Sequence, residues 1–220
     1  MNILLDKLDF HEAWAYDTLK DIIKPEYRIC IIPFAFHEEW IKNSEEWEKW
    51  YNKIDGDQYK GIAAPFYAYG INDDNISLVN YFEDNSDSAK AKINSSDIIF
   101  FTGGFPDKIM DRMANWDLVN TIEQHQGIKM GWSAGAVMQC YDYFLSPDED
   151  YPEFVYLRGL KCIEDFAVEV HYKNTESQNE SIERYIRERG KVVYTSEPHS
   201  AIIVDGTKVT LLGNAKAYEK

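Results

Sequence analysis

Two short apolar runs set the strongest limit on what this chain can fold into. Asp97-Ile98-Ile99-Phe100-Phe101 is followed by Thr102 and a glycine pair, Ile128-Lys129-Met130-Gly131 ends at glycine, and each leads into a segment with helical spacing. Runs of that length read as buried strands, and their alternation with amphipathic segments is the pattern of a parallel sheet covered by helices. Arg28-Ile29-Cys30-Ile31-Ile32-Pro33 reads as another buried strand, stopped by proline, and Gly61 to Tyr69 as a further one. Residues 37–54 read as a helix whose Trp40, Trp47, Tyr51 and Ile54 form a core-packing stripe. Helices are also expected over Pro106 to His125, from about Ala134, and over 177–189. Tyr141 to Pro152 is polar and acidic and reads as a surface loop. Phe166-Ala167-Val168-Glu169-Val170 is expected to deliver His171 at a strand end. Val192 to Thr195, Ala201 to Val204 and Val209 to Leu212 read as closing strands, the last two joined by an Asp205-Gly206 turn. The fold class is therefore α/β, a three-layer α/β/α sandwich on a mostly parallel sheet. Its active sites gather at the carboxyl ends of the strands.

Composition narrows the function. The 220 residues suit one sizeable domain, and 45% apolar residues suffice for a packed core. A formal charge of −15, from 38 acidic and 23 basic side chains, disfavours nucleic acid and anionic membrane as partners. Cys30, Cys140 and Cys162 are odd in number, lie among apolar neighbours and lack metal-ligand spacing, which reads as free thiols in a reducing compartment. The N-terminus shows no secretory pattern and no run reaches bilayer length. The expectation is a cytoplasmic protein. Asn72-Asp73-Asp74-Asn75 and Asp148-Glu149-Asp150 read as solvated loops, since neither has the full pattern of a calcium site.

The second apolar run opens Gly131-Trp132-Ser133-Ala134-Gly135. Alone, GxSxG is a weak signal. Here it has the context of a nucleophile elbow: a strand before it, small residues flanking the serine, and a helix after it whose free N–H groups face a developing oxyanion. Ser133 is the candidate nucleophile. Among five histidines, His11 lies in an unpatterned stretch. His37 begins His37-Glu38-Glu39-Trp40-Ile41, where isoleucine replaces the second ligand of a zinc motif. His125 sits at a helix end, where a cation suits the dipole. His171 and His199 remain as candidate bases. Glu197, after the strand ending at Thr195-Ser196, is either an orienting acid or a solvated loop residue.

Taken together, Asp97-Ile98-Ile99-Phe100-Phe101-Thr102-Gly103-Gly104 and Gly131-Trp132-Ser133-Ala134-Gly135-Ala136 resemble the paired signature of the dipeptidase E and cyanophycinase family, serine peptidases with a fold like that of class I glutamine amidotransferases (flavodoxin-like). The resemblance runs from about Asp97 to Leu212, and the N-terminal third diverges. It implies one peptidase E-like domain over 1–220, with a serine, histidine, glutamate triad that falls on Ser133, His171 and Glu197. It also implies an oxyanion hole from Gly104 and Ala134, a small peptide substrate, and no metal or organic cofactor. A monomer and a homodimer are both compatible with it. Two departures stand out. Phe105-Pro106 follows the glycine pair where the family often has asparagine. The segment after His171 carries Asn174, Gln178 and Asn179, with Arg184 late, in place of an early arginine for an aspartyl side chain. The rival readings are an α/β-hydrolase-type esterase using Asp165 and His199, and a degenerate member that binds a small molecule or peptide.

Overall fold

The computed structural model describes residues 1–219. In chain order the elements are β1 (Asn2–Leu5), α1 (Ala13–Leu19), β2 (Ile29–Ile32), α2 (Ser44–Tyr51), α3 (Asp57–Ala68), β3 (Ile76–Leu78), α4 (Ser86–Asn94), β4 (Ile98–Phe101), α5 (Pro106–Asn115) and α6 (Val119–Gln124). They continue with β5 (Ile128–Trp132), α7 (Ala134–Val137), β6 (Asp142–Leu145), β7 (Val155–Arg158), β8 (Phe166–Glu169), α8 (Glu176–Arg189), β9 (Val192–Thr195), β10 (Ser200–Asp205), β11 (Lys208–Gly213) and β12 (Lys216–Ala217).

The central sheet has seven strands in the order β11-β10-β1-β5-β4-β2-β3. The five from β1 to β3 run parallel, and β10 and β11 close one edge antiparallel. This is the three-layer α/β/α sandwich expected. Every residue of β1, β2 and β4 is buried, as strands covered on both faces must be. Along β1 the side chains alternate between two cores. Ile3 and Leu5 enter the larger one, with Leu19 of α1, Phe66 of α3 and Met113 of α5. Leu4 enters a second core with Val137 of α7, Val168 of β8 and Ile202 of β10. The second core fastens a small sheet, β12-β9-β8, against the large one.

Register brings the functional strand ends into line. Leu5 pairs with Trp132, and Phe101 with Gly131. Asp6, Thr102 and Ser133 therefore leave the sheet together, at the carboxyl ends of three adjacent central strands. Close backbone packing there explains two glycines. A Cβ on Gly131 would lie 2.5 Å from the Gly135 carbonyl oxygen, and one on Gly135 would lie 2.4 Å from that of Phe101.

Several expected elements differ. The strand expected over Gly61 to Tyr69 is instead the end of helix α3 and its C-cap, Tyr69: Tyr59, Ile62, Ala63 and Phe66 are buried at helical spacing, and the third parallel strand is Ile76–Leu78. The helix expected over 37–54 is confined to α2, because Asn43 caps it by accepting from the Glu46 N–H at 2.9 Å. Trp47 and Tyr51 are buried as expected, whereas Trp40 and Ile54 are exposed. The helix after Pro106 breaks at Asp117, whose φ is 54°. The loop expected over Tyr141 to Pro152 begins with β6, which pairs with β7. Of the closing strands, β9 joins β8 in the small sheet. The strand β1 had no sequence assignment.

Two alanine substitutions separate close packing from open space. Gly135→Ala should lower stability by roughly 1–3 kcal/mol, since the neighbouring atom is backbone and cannot swing away. A Cβ on Gly61 meets nothing within 4 Å in helix α3, so Gly61→Ala should raise stability by roughly 0.5–1 kcal/mol. Thermal unfolding of both variants checks the pair, and equal shifts would contradict this packing.

Candidate active site

Ser133 stands between β5 and α7 with φ 52° and ψ −119°. An L-residue rarely adopts that backbone, and a tight strand-to-helix turn requires it. The bend is held by the Ser133 N–H, which donates to the Leu5 carbonyl at 3.0 Å, and by the Val137 N–H, which donates to the Ser133 carbonyl at 3.0 Å. Ala134 is the first helical residue, so its N–H has no carbonyl a turn earlier to bond.

His171 follows β8 and also has a positive φ, 52°. Its Nε2 lies 2.8 Å from Ser133 Oγ. On the other side of the ring, Nδ1 lies 3.2 Å from Asp6 Oδ2, and the His171 backbone N–H donates to Asp6 Oδ1 at 2.6 Å. Asp6 is fully buried at the end of β1. A carboxylate can only accept, so it places the imidazole proton on Nδ1 and leaves Nε2 to accept from the Ser133 hydroxyl.

The structure brings together Ser133 and His171 from the expected set and leaves Glu197 apart. No hydrogen bond or ion pair joins Glu197 to His171; its Oε1 lies 3.7 Å from Lys216 Nζ on β12. The loop from β9 to β10 folds on itself, with the Ser200 hydroxyl donating to the Glu197 carbonyl. The position beside Nδ1 is filled from β1. The one sequence signal for it is an acidic residue ending the apolar run Ile3-Leu4-Leu5. His199 is turned away as well: its Nδ1 pairs with Asp9 Oδ2 at 2.8 Å and Glu12 Oε2 at 3.4 Å. Among the described residues Asp9, Glu12 and His199 form the one group with metal-type ligands, and the ion pairs account for their closeness. Among the described residues, no hydrogen bond or ion pair joins Asp165, the acid of the esterase reading, to His199.

Gly104 and Ala134 both line a cavity of about 580 Å³ that opens at Ser133 and His171. That size suits a small-molecule or short-peptide ligand. Gly104 has φ 131°, and a Cβ there would lie 2.2 Å from the Ala35 carbonyl oxygen. The Phe105 N–H donates to that same oxygen at 2.8 Å. Arg112 secures the flanks, donating to the Phe36 carbonyl at 2.7 Å and to Glu38 at 2.9 Å. The departure Phe105-Pro106 thus starts a helix, with proline at its first position, where no N–H is needed.

The acidic loop after β6 forms part of the cavity wall through Ser146, Asp148, Asp150 and Tyr151. The Tyr151 hydroxyl fixes it to Asp107 on α5 at 2.5 Å. Glu169, the last residue of β8 and 6% exposed, lines the same cavity. Burial pushes its carboxyl up to about 8; the Ser146 hydroxyl and Gln178 amide pull it down less, and Asp148 pushes it further up.

A flavodoxin-like sandwich with a strained serine at a strand end, hydrogen-bonded to a histidine backed by a buried carboxylate, defines a serine-type hydrolase. The sequence profile of peptidase family S51 matches residues 11–212. The chain belongs to that family of serine-type peptidases. It is similar in structure to a candidate peptidase E protein from Listeria monocytogenes EGD-e, at 15% identity and a TM-score of 0.64, over 99% of this chain and 98% of the other. It is also similar to a peptidase from an acI-B1 Actinobacterium, at 14% identity and a TM-score of 0.64, over 99% and 96% of the two chains. No curated protein sequence matches it.

The Glu169 carboxyl makes stability depend on pH. Its ordinary value is near 4.5 and its folded value about 8. Below about 4.5 it is protonated in both states and costs nothing. Between these values the unfolded chain ionises more readily, so the folded protein loses stability as pH rises. Glu169→Gln should therefore match wild type in thermal unfolding near pH 4.5 and exceed it above pH 8. An unchanged difference across that window would refute the assignment.

Proposed function

We propose that this chain hydrolyses small peptides through an acyl-enzyme on Ser133, with His171 as general base and Asp6 as the acid that orients it. The observation that carries the reading is the line from buried Asp6 through His171 to Ser133 Oγ, with contacts of 3.2 and 2.8 Å. In the first half-reaction the Ser133 hydroxyl gives its proton to His171 Nε2 as Oγ bonds to the substrate carbonyl carbon. The negative charge passes to the carbonyl oxygen, facing the N–H groups of Gly104 and Ala134. Collapse of this intermediate breaks the carbon–nitrogen bond, and His171 Nε2 returns the proton to the leaving amine. Water then repeats the sequence on the ester and frees Ser133. Asp6 holds the ring in one tautomer and stabilises the imidazolium throughout.

None of these steps calls on a metal or an organic cofactor. No helix among the described residues is long and apolar enough to cross a membrane. The free thiols of Cys30, Cys140 and Cys162 support a cytoplasmic, reducing setting. One peptidase domain accounts for the chain, as monomer or homodimer. The degenerate-binder reading is disfavoured by the aligned Ser133–His171 pair. The esterase reading is disfavoured by the commitment of His199 to Asp9 and Glu12.

Fluorophosphonate labelling, followed by intact mass over time, tests the assignment. Wild type should label and Ser133→Ala should not. His171→Ala should be slowed by several orders of magnitude. Asp6→Asn should be slowed about 10²- to 10⁴-fold, because the imidazole then loses its tautomer. Glu197→Gln and His199→Ala should stay close to wild type. Labelling that survives in Ser133→Ala, or a Glu197→Gln loss as deep as that of Asp6→Asn, would sink the proposal.

A further inference from the structure

The cavity beside Ser133 has a chemical sign that the reaction itself does not need. Glu169 is 6% exposed and lines the cavity. Among the described residues no lysine, arginine or histidine forms an ion pair with it, although a buried carboxyl is otherwise accommodated by such a partner. Asp148 and Asp150 line the same space, and Lys173 is the one lysine or arginine that lines it. Ser146 faces the same cavity, and its buried hydroxyl, which forms no well-aligned hydrogen bond, lies close enough to Glu169 to draw its carboxyl down a little. Asp148 and Asp150 give this concave wall a negative field that favours cations over anions, and Glu169, held neutral by burial while the cavity is empty, can ionise against a cation that enters.

We propose that the cavity selects peptides carrying a cation, an ammonium or a guanidinium, and seats that cation on Glu169 with Ser146 Oγ as a second acceptor. This deepens the peptidase reading and rests on it for the identity of the ligand as a peptide. An anionic side chain is the wrong partner. It would meet the field of Asp148 and Asp150, with Lys173 alone to offset them, and it would not draw Glu169 into its ionised form. A bound cation restores to Glu169 the ionised form that burial alone suppresses, so the carboxyl releases a proton as the ligand enters. Glu169 touches the substrate side chain or terminus and takes no part in bond breaking, so its effect falls on selectivity.

Calorimetric titration of Ser133→Ala protein, which cannot turn substrate over, tests this apart from the hydrolysis. Four dipeptides separate the sources of the cation: Arg-Ala, N-acetyl-Arg-Ala, Ala-Ala and Asp-Ala. Arg-Ala should bind at least about 10-fold tighter than Asp-Ala, and adding Glu169→Gln should weaken Arg-Ala about 10- to 100-fold, the worth of a hydrogen bond to a charged group. If N-acetyl-Arg-Ala retains both the affinity and its dependence on Glu169, the cation is the side chain. If acetylation abolishes binding while Ala-Ala keeps the dependence, it is the α-ammonium. Asp-Ala binding as tightly as Arg-Ala, no binding by either cationic peptide, or indifference of Arg-Ala to Glu169→Gln would overturn the proposal. Because no step of this experiment requires turnover, a wild type that never reacts with a fluorophosphonate would sink the peptidase reading alone.

Discussion

The contact on which the rest of the site depends is that between Asp6 and His171. A carboxylate with no exposed surface is costly unless its oxygens are bonded. Asp6 meets that need with one backbone N–H and one imidazole nitrogen, both from His171. The two residues lie 165 positions apart, at the ends of strands in different sheets. The bond therefore fixes how the small sheet sits on the large one at the point where the histidine must reach the serine. Apolar packing supports the same docking, since Leu4 of β1, Val137 of α7 and Val168 of β8 share one core.

Both residues that meet are among the five non-glycine described residues with positive φ. Ser133 and His171 both have positive φ, a conformation that costs on the order of 1–3 kcal/mol at each. Each is held by its surroundings. The Ser133 N–H is bonded to Leu5, the Tyr172 N–H donates to the Ser196 carbonyl at 3.0 Å, and the Gln178 amide donates to the His171 carbonyl at 3.2 Å. Asp6 follows Leu5 directly, so one short strand supports the serine through its backbone and the histidine through the next side chain. This economy explains why β1 lies inside the sheet between β5 and β10, with its register fixed on both sides.

The sequence made the parts of the site with local signatures legible. The glycine pair, the GxSxG turn and the strand leading to His171 all lie within a few residues of the groups they position, and β2, β4, β5 and β8 fell where their apolar runs lie. Errors arose where a local pattern fits two structures. Gly61 to Tyr69 is apolar and aromatic enough for a strand, yet buried Tyr59, Ile62 and Phe66 have helical spacing. The aromatic stripe from Trp40 to Ile54 has helical spacing over more residues than fold as a helix, because Asn43 starts α2 late. The acid beside His171 had no local signature. Its strand-end position leaves Glu197 either an acid or a loop residue, and the family resemblance alone sets it in the triad, whereas Asp6 arrives through a strand pairing that no spacing reveals. The burial of Glu169 was equally hidden, since one glutamate within an apolar strand gives no sign of facing a cavity.

Serine, histidine and aspartate thus come from three strand ends, brought together by register and by one buried carboxylate. The cavity beside them has an acidic wall distinct from the reacting groups. The most direct test of this account is a crystal structure of the protein after reaction with a phosphonate. It should place phosphorus on Ser133 Oγ, the phosphonyl oxygen within hydrogen-bond reach of the Gly104 and Ala134 N–H groups, and His171 Nδ1 still on Asp6. Phosphorus on another residue, or a His171 ring turned from Asp6 to Glu197, would contradict it.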